Sequence, residues 1–142
     1  IAHEVNQFGP PNDWVYPEPP ASLYRPLVCK VDADGNEVAG VRNPDIAVPL
    51  GTYAGWNLYR APYPEGELAD RMGSFIAFAA TRAEREKTGD PRRSIAERYR
   101  DRADYVAKVE AAAAALVRER LLLPEDAARY VERAKSESRL KP

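Results

Sequence analysis

The pattern of apolar and polar positions divides this chain into stretches of different period, and each predicts its own kind of structure. Residues 1–26 hold no usable period, because Pro10, Pro11, Pro17, Pro19, Pro20 and Pro26 fix φ and remove backbone donors. An extended Pro-rich arm is predicted there, with Phe8, Trp14 and Tyr16 as anchors. The clearest β pattern comes next. Leu27-Val28-Cys29-Lys30-Val31 and Glu37-Val38-Ala39-Gly40-Val41 flank Asp32-Ala33-Asp34-Gly35-Asn36, where Gly35 or Asn36 can take φ > 0. This spacing predicts a β-hairpin over 27–41. Residues 42–66 show neither period and are predicted to be a long ordered loop.

From Glu67 the chain turns helical. Gly73-Ser74-Phe75-Ile76-Ala77-Phe78-Ala79 is a short apolar stretch, with Ser74 read as a helix cap. Thr81-Arg82-Ala83-Glu84 and Ser94-Ile95-Ala96-Glu97 each have the capping-box spacing, and Gly89-Asp90-Pro91 stops the first of the two helices. The strongest helix runs from about Arg102 to Leu121, with Val106, Val109, Ala113, Leu116, Val117 and Leu121 on one stripe. Pro124 suits the first position of a last helix, and Glu125 and Asp126 complement its dipole. Ala127, Tyr130, Val131 and Ala134 form its inner face. The fold class is therefore mostly α with minor β. An extended arm leads to one hairpin, a long ordered loop and a C-terminal helical hairpin. Residues 27–135 make a single α-rich domain, and residues 136–142 are expected to fray.

Composition adjusts this picture only at the edges. The apolar fraction is 44% of 142 residues, but Ala supplies much of it, so the large apolar side chains are fewer than the figure suggests. Thirteen prolines and a mean hydropathy of −0.55 fit a chain whose N-terminal part lies on a surface. The 21 basic and 22 acidic residues are well mixed, which leaves no basic stripe for phosphates and argues against nucleic acid as a partner. An anionic membrane surface is excluded on the same ground, and no apolar run approaches the roughly 20 residues of a span. Ile1, not Met, opens the sequence, which is read as an end set by processing or cleavage. No pattern assigns a compartment.

Candidate chemistry is sparse. His3 is the sole histidine, and a serine or cysteine nucleophile needs a base within hydrogen-bond reach. The strained Gly-x-Ser-x-Gly turn is absent, since Gly73-Ser74-Phe75 lacks its second glycine. Asp32-x-Asp34-x-Asn36 begins like a calcium loop, but the sixth position is Glu37 and the twelfth is Asn43, so a turn is the better reading. One Cys and one His make no zinc site of the usual kind, and no cofactor or metal is expected. Cys29, in a strand-like context, is read as a small buried apolar residue. Tyr53, Trp56 and Asn57 are the one suggestive cluster, two aromatics and an amide beside Gly51 and Gly55. They are candidates for lining a ligand pocket or for anchoring the loop to a neighbouring domain.

Four stretches in order resemble the end of large proteins of the α/β-hydrolase-domain family. They are Val31 to Val41, then Val48-Pro49-Leu50-Gly51-Thr52-Tyr53-Ala54-Gly55-Trp56-Asn57-Leu58. Gly73-Ser74-Phe75-Ile76 follows, with Thr81-Arg82-Ala83-Glu84-Arg85 and Gly89-Asp90-Pro91, and the fourth is Leu116 to Arg120 through Pro124-Glu125-Asp126. The departures are small: the family usually has Ala where Gly51 stands, Thr at Ala54, and Pro at Ala77 and Arg93. The resemblance implies a C-terminal segment of a larger serine hydrolase of ester-type chemistry, whose nucleophile and base lie upstream. No position here matches a catalytic residue of that family. The implied partner is the catalytic portion of the hydrolase, in the same or a separate chain, on which this segment would pack. A second copy of the chain is the other partner an exposed apolar face would admit. An independent helical interaction or ligand-binding module is the alternative from another class.

Overall fold

The computed structural model describes residues 29–69 and 72–140. Five helices and one two-stranded antiparallel ladder follow in the order α1 (Pro44–Ala47), β1 (Gly51–Ala54), β2 (Ser74–Ala77), α2 (Arg82–Thr88), α3 (Ile95–Arg98), α4 (Arg102–Arg118) and α5 (Pro124–Lys135). The class is mostly α with minor β. The Pro-rich arm, with His3 and the anchors Phe8, Trp14 and Tyr16, lies outside the described residues.

Local chemistry sets most helix ends. Thr81 accepts from the Glu84 amide while the Glu84 carboxylate reaches back to the Thr81 amide, both at 3.3 Å, which closes the box at the start of α2. Gly89, at φ 68°, ends that helix in the left-handed region. At α3 the Glu97 carboxylate accepts from the Ser94 amide at 2.8 Å and from its hydroxyl at 2.7 Å. Asp101 caps α4 by accepting from the Asp104 amide at 2.7 Å.

α4 stops three residues earlier than the periodicity predicts. Pro124 disfavours helical dihedrals at Leu123, so the chain must leave the helix before the Leu121–Leu123 run. It does so through a Schellman turn: the Leu121 amide bonds Leu116 O at 2.9 Å and the Arg120 amide bonds Val117 O at 3.0 Å. Arg120 holds the left-handed position at φ 60°, where glycine is usual. Leu121 is therefore exposed and drops out of the stripe, while Tyr105 joins Val109, Ala113 and Leu116 as the buried face. α5 packs back on α4 through Ala134, with Tyr130 partly buried against the same core.

The predicted hairpin over 27–41 forms only as a turn. Val31 and Glu37 make an isolated bridge, the Asp32 carboxylate accepts the Asp34 and Asn36 amides, and the chain then bends at Ala39–Gly40. Val31, Val38 and Val41 are left exposed, so no apolar face holds a longer ladder, and residues 27 and 28 lie outside the described residues. The ladder forms instead within the stretch predicted as loop and the one predicted as helical. Gly51 pairs with Ala77, Thr52 with Ile76, Tyr53 with Phe75 and Ala54 with Ser74. Four-residue strands carry too little periodicity to be told from loop or helix onset. Gly51 is held to glycine by close approach, since a Cβ there would lie 2.5 Å from the Phe75 ring and 2.6 Å from Ile76 O. The long loop is thus broken up by α1 and β1, and only its outer part, beyond Ala54, remains irregular.

Asn36 ties the turn to the ladder. Its side chain is 0% exposed, donates to Gly51 O at 3.1 Å and accepts from the Tyr53 amide at 2.8 Å. It therefore occupies the edge of β1 that faces away from β2. Phe78, just past β2, lies under two guanidinium groups: Arg98 stands 4.1 Å and Arg92 5.2 Å from its ring centre. Arg98 is in turn paired with both carboxylate oxygens of Asp34. Arg92 is gripped by Asp90 at 2.6 Å and donates to the Thr52 hydroxyl at 2.8 Å and Ile76 O at 3.0 Å. These contacts fix the ladder against the helices over a core of Val48, Leu50, Phe78, Ile95, Tyr99, Tyr105, Val109, Ala134 and Leu140.

Leu140 departs from the expectation of fraying over residues 136–140. It is 4% exposed within the core, its carbonyl accepts from Arg102 at 3.2 Å, and Glu137 and Arg139 pair beside it. An apolar side chain five residues past the end of α5 joins the core and holds the tail in place. Residues 141 and 142 lie outside the described residues. Two smaller expectations are also corrected. Cys29 is exposed, and Ser74 sits in β2, donating to Trp56 O at 3.0 Å, and caps no helix.

Candidate functional site

The structure separates the three site candidates. Tyr53, on β1, is half-buried and turns inward beside Phe75, with ring centres 4.8 Å apart. Trp56 and Asn57 lie beyond the ladder on the excursion that joins β1 to β2. Asn57 spends its side-chain oxygen on the neighbouring Leu58 amide at 2.9 Å, and Trp56 is 52% exposed. The excursion folds back on itself: Leu58 bridges Leu68, the Tyr59 amide bonds Glu67 O at 2.8 Å, and the Ala69 amide bonds Asn57 O at 2.9 Å. Two distinct features result, one an exposed apolar surface and the other an inward-facing cavity.

The exposed apolar side chains are concentrated along the sequence. Among the described residues, thirteen large hydrophobic side chains are exposed, and eight of these fall between Trp56 and Ile76. Tyr59 and Tyr63 stack at 5.6 Å, while Leu58, Leu68 and Met72 remain uncovered. Phe75 and Ile76, on opposite faces of β2 because side chains alternate along a strand, are both exposed.

The cavity lies between the ladder and the two long helices and encloses about 310 Å³. Tyr53 and Phe75 line it from the ladder, Tyr105, Tyr130 and Arg133 from the two long helices, and Arg139 from the tail. Arg133 pairs with Asp45 at 2.5 Å and lies 4.7 Å over the Tyr130 ring, while Arg139 pairs with Glu137 at 2.8 Å and lies 5.3 Å from the Phe75 ring centre. Burial raises the phenols of Tyr53 and Tyr130 above their ordinary value and lifts Tyr105 to about 12, so all three stay protonated at neutral pH. Glu137 is held down at about 2, chiefly by its hydrogen bond from Arg139. Tyr105 was not singled out by periodicity. Its spacing four residues before Val109 is the signal that could have placed it on the inner face.

The one histidine of the chain, His3, lies outside the described residues. Among the described residues, no group of three or more His, Cys, Asp or Glu side chains could hold a metal ion, and no helix is long and apolar enough to cross a membrane. Sequence comparison matches residues 9–132 to the family described as Alpha/beta hydrolase domain. The chain belongs to the alpha/beta hydrolase domain family. No curated protein and no solved structure matches it. Within the described part of this family member, the only paired strands form the short antiparallel β1–β2 ladder, and its helices enclose the tyrosine-lined cavity.

Proposed function

We propose that this chain is a non-catalytic segment of an α/β-hydrolase protein. Its β1–β2 excursion packs on the catalytic portion, in the same polypeptide or a separate one. The observation that carries the reading is the set of exposed apolar side chains between Trp56 and Ile76. Surfaces of this kind are rarely left to water, and each large side chain covered contributes up to about 1.5–3 kcal/mol. A two-stranded ladder is marginal by itself, and Ile76 leaves one face of β2 uncovered, so a neighbouring surface would complete it. The scarcity of bases points the same way. With one histidine in the sequence, at position 3, a serine nucleophile on this chain has little to activate it.

Native mass spectrometry of material isolated without denaturation tests this, together with a fluorophosphonate that labels active serines. The expected result is a larger, probe-reactive polypeptide travelling with this chain, or joined to it. Replacing Trp56 and Ile76 together by Lys should abolish the association of separate chains without lowering Tm. A lone 142-residue species with no tendency to associate contradicts the proposal. So does a Trp56→Lys, Ile76→Lys variant that binds as well as the parent.

A further inference from the structure

The tyrosine-lined cavity has more hydrogen-bond donors than the protein itself uses. Its two carboxylates are already committed, Asp45 to Arg133 and Glu137 to Arg139. The hydroxyls of Tyr53 and Tyr105 have no hydrogen-bond partner among the described residues, whereas the nearby Tyr99 hydroxyl is satisfied by Pro49 O at 2.8 Å. Each guanidinium carries five N–H groups. Arg139 spends only Nε and one terminal nitrogen on Glu137, and Arg133 one terminal nitrogen on Asp45. These remaining donors suit a bound acceptor. The cavity's walls are aromatic rings and the apolar side chains of Leu50 and Val109, which suit a flat apolar body.

We infer that this cavity is a binding site for a small aromatic carboxylate, its ring among Tyr53, Phe75, Tyr105 and Tyr130 and its carboxylate on the free phenol and guanidinium donors. The fit in size follows from the volume. About 310 Å³ is roughly twice a cavity of about 150 Å³ that takes up benzene, which is room for one ring with its acid group and several waters. Because the phenols stay neutral across the physiological range, they donate without repelling an anion.

This inference goes beyond the proposed packing role and is tested on the isolated chain, so either can fail alone. Saturation-transfer NMR and calorimetric titration with benzoate and phenylacetate should show saturable binding at a single site. Benzyl alcohol, which keeps the ring and loses the charge, should bind about tenfold more weakly, the loss of one charge-assisted hydrogen bond. Tyr53→Phe keeps the ring wall and removes one donor, and should weaken benzoate about fivefold. Arg139→Gln should weaken it about tenfold. Since Arg139 also pairs with Glu137, the Tyr53→Phe variant is the control against loss of structure. Absence of saturable benzoate binding overturns the inference. Equal affinity for benzyl alcohol overturns it as well, as does full benzoate affinity in both variants.

Discussion

Removing the Asn36 side chain tests how the ladder is held, because this one amide replaces a missing strand. Asn36→Ala leaves Gly51 O and the Tyr53 amide without the partners they have at 3.1 and 2.8 Å. Alanine offers nothing in exchange, and Gly51 is buried, so water reaches its carbonyl poorly. A buried polar group left unsatisfied costs about 1–3 kcal/mol. The Tyr53 amide is half-buried and falls at the lower end of that range, so the pair together should cost about 2–4 kcal/mol. That is a large share of the roughly 5–15 kcal/mol expected for a domain. Urea unfolding followed by far-UV circular dichroism gives the loss, and hydrogen exchange should show the Tyr53 amide losing protection. Asn36→Asp separates the two bonds, keeping the acceptor for Tyr53 while facing Gly51 O with a second acceptor. Relative to the parent at the same pH, its penalty should shrink on acidification, when the carboxyl regains a donor. A change below about 0.5 kcal/mol in Asn36→Ala, with Tyr53 protection intact, would falsify the edge-capping argument.

Three further outcomes are expected. Leu140→Ala should cost about 2–3 kcal/mol by leaving a cavity in the core, and a loss near zero would restore a frayed tail. Arg120→Gly should stabilise the chain by about 0.5–1 kcal/mol, because φ 60° costs glycine nothing, and thermal unfolding would register destabilisation as the contrary result. Asp90, Glu97 and Glu137 are all held at about 2, chiefly by hydrogen bonds from Arg92, Ser94 and Arg139 respectively. Their folded values lie below the ordinary 3.8 and 4.5, so their stabilisation is complete above about pH 4.5 and is lost as the pH falls toward 2. Tm should therefore hold level down to about pH 5 and then drop, with a shallower drop in Asp90→Asn; a Tm that stays level to pH 2 would contradict this.

The parts of the fold legible in the sequence are those written in local chemistry. Thr81 with Glu84, Ser94 with Glu97, Gly89 and Pro124 each mark a helix end within a few residues of chain, and the structure has helix ends at all of them. The ladder was not legible, because β1 and β2 are four residues each and find each other across a long excursion. A better local pattern at 27–41 drew the strand assignment instead. It stopped at a single bridge because Asn36 turned its side chain to β1 and the valines had no core to face. Tyr53 was recognised as a candidate, but the sequence neighbours Trp56 and Asn57 do not share its cavity. Its partners there, Tyr105, Tyr130, Arg133 and Arg139, come from remote helices and the tail. Spacing along the chain carries no signal for such a meeting, and a tail expected to fray hid Arg139 and Leu140 altogether.

The central claim, that this hydrolase-family chain does not itself carry the nucleophile, is tested most directly by fluorophosphonate labelling followed by intact mass and peptide mapping. The account predicts an unmodified mass for the isolated chain, no saturable turnover of p-nitrophenyl butyrate, and label only on sequence beyond these 142 residues. A one-equivalent adduct on Ser74 or any other serine of this chain, with ester turnover lost in step, would contradict it.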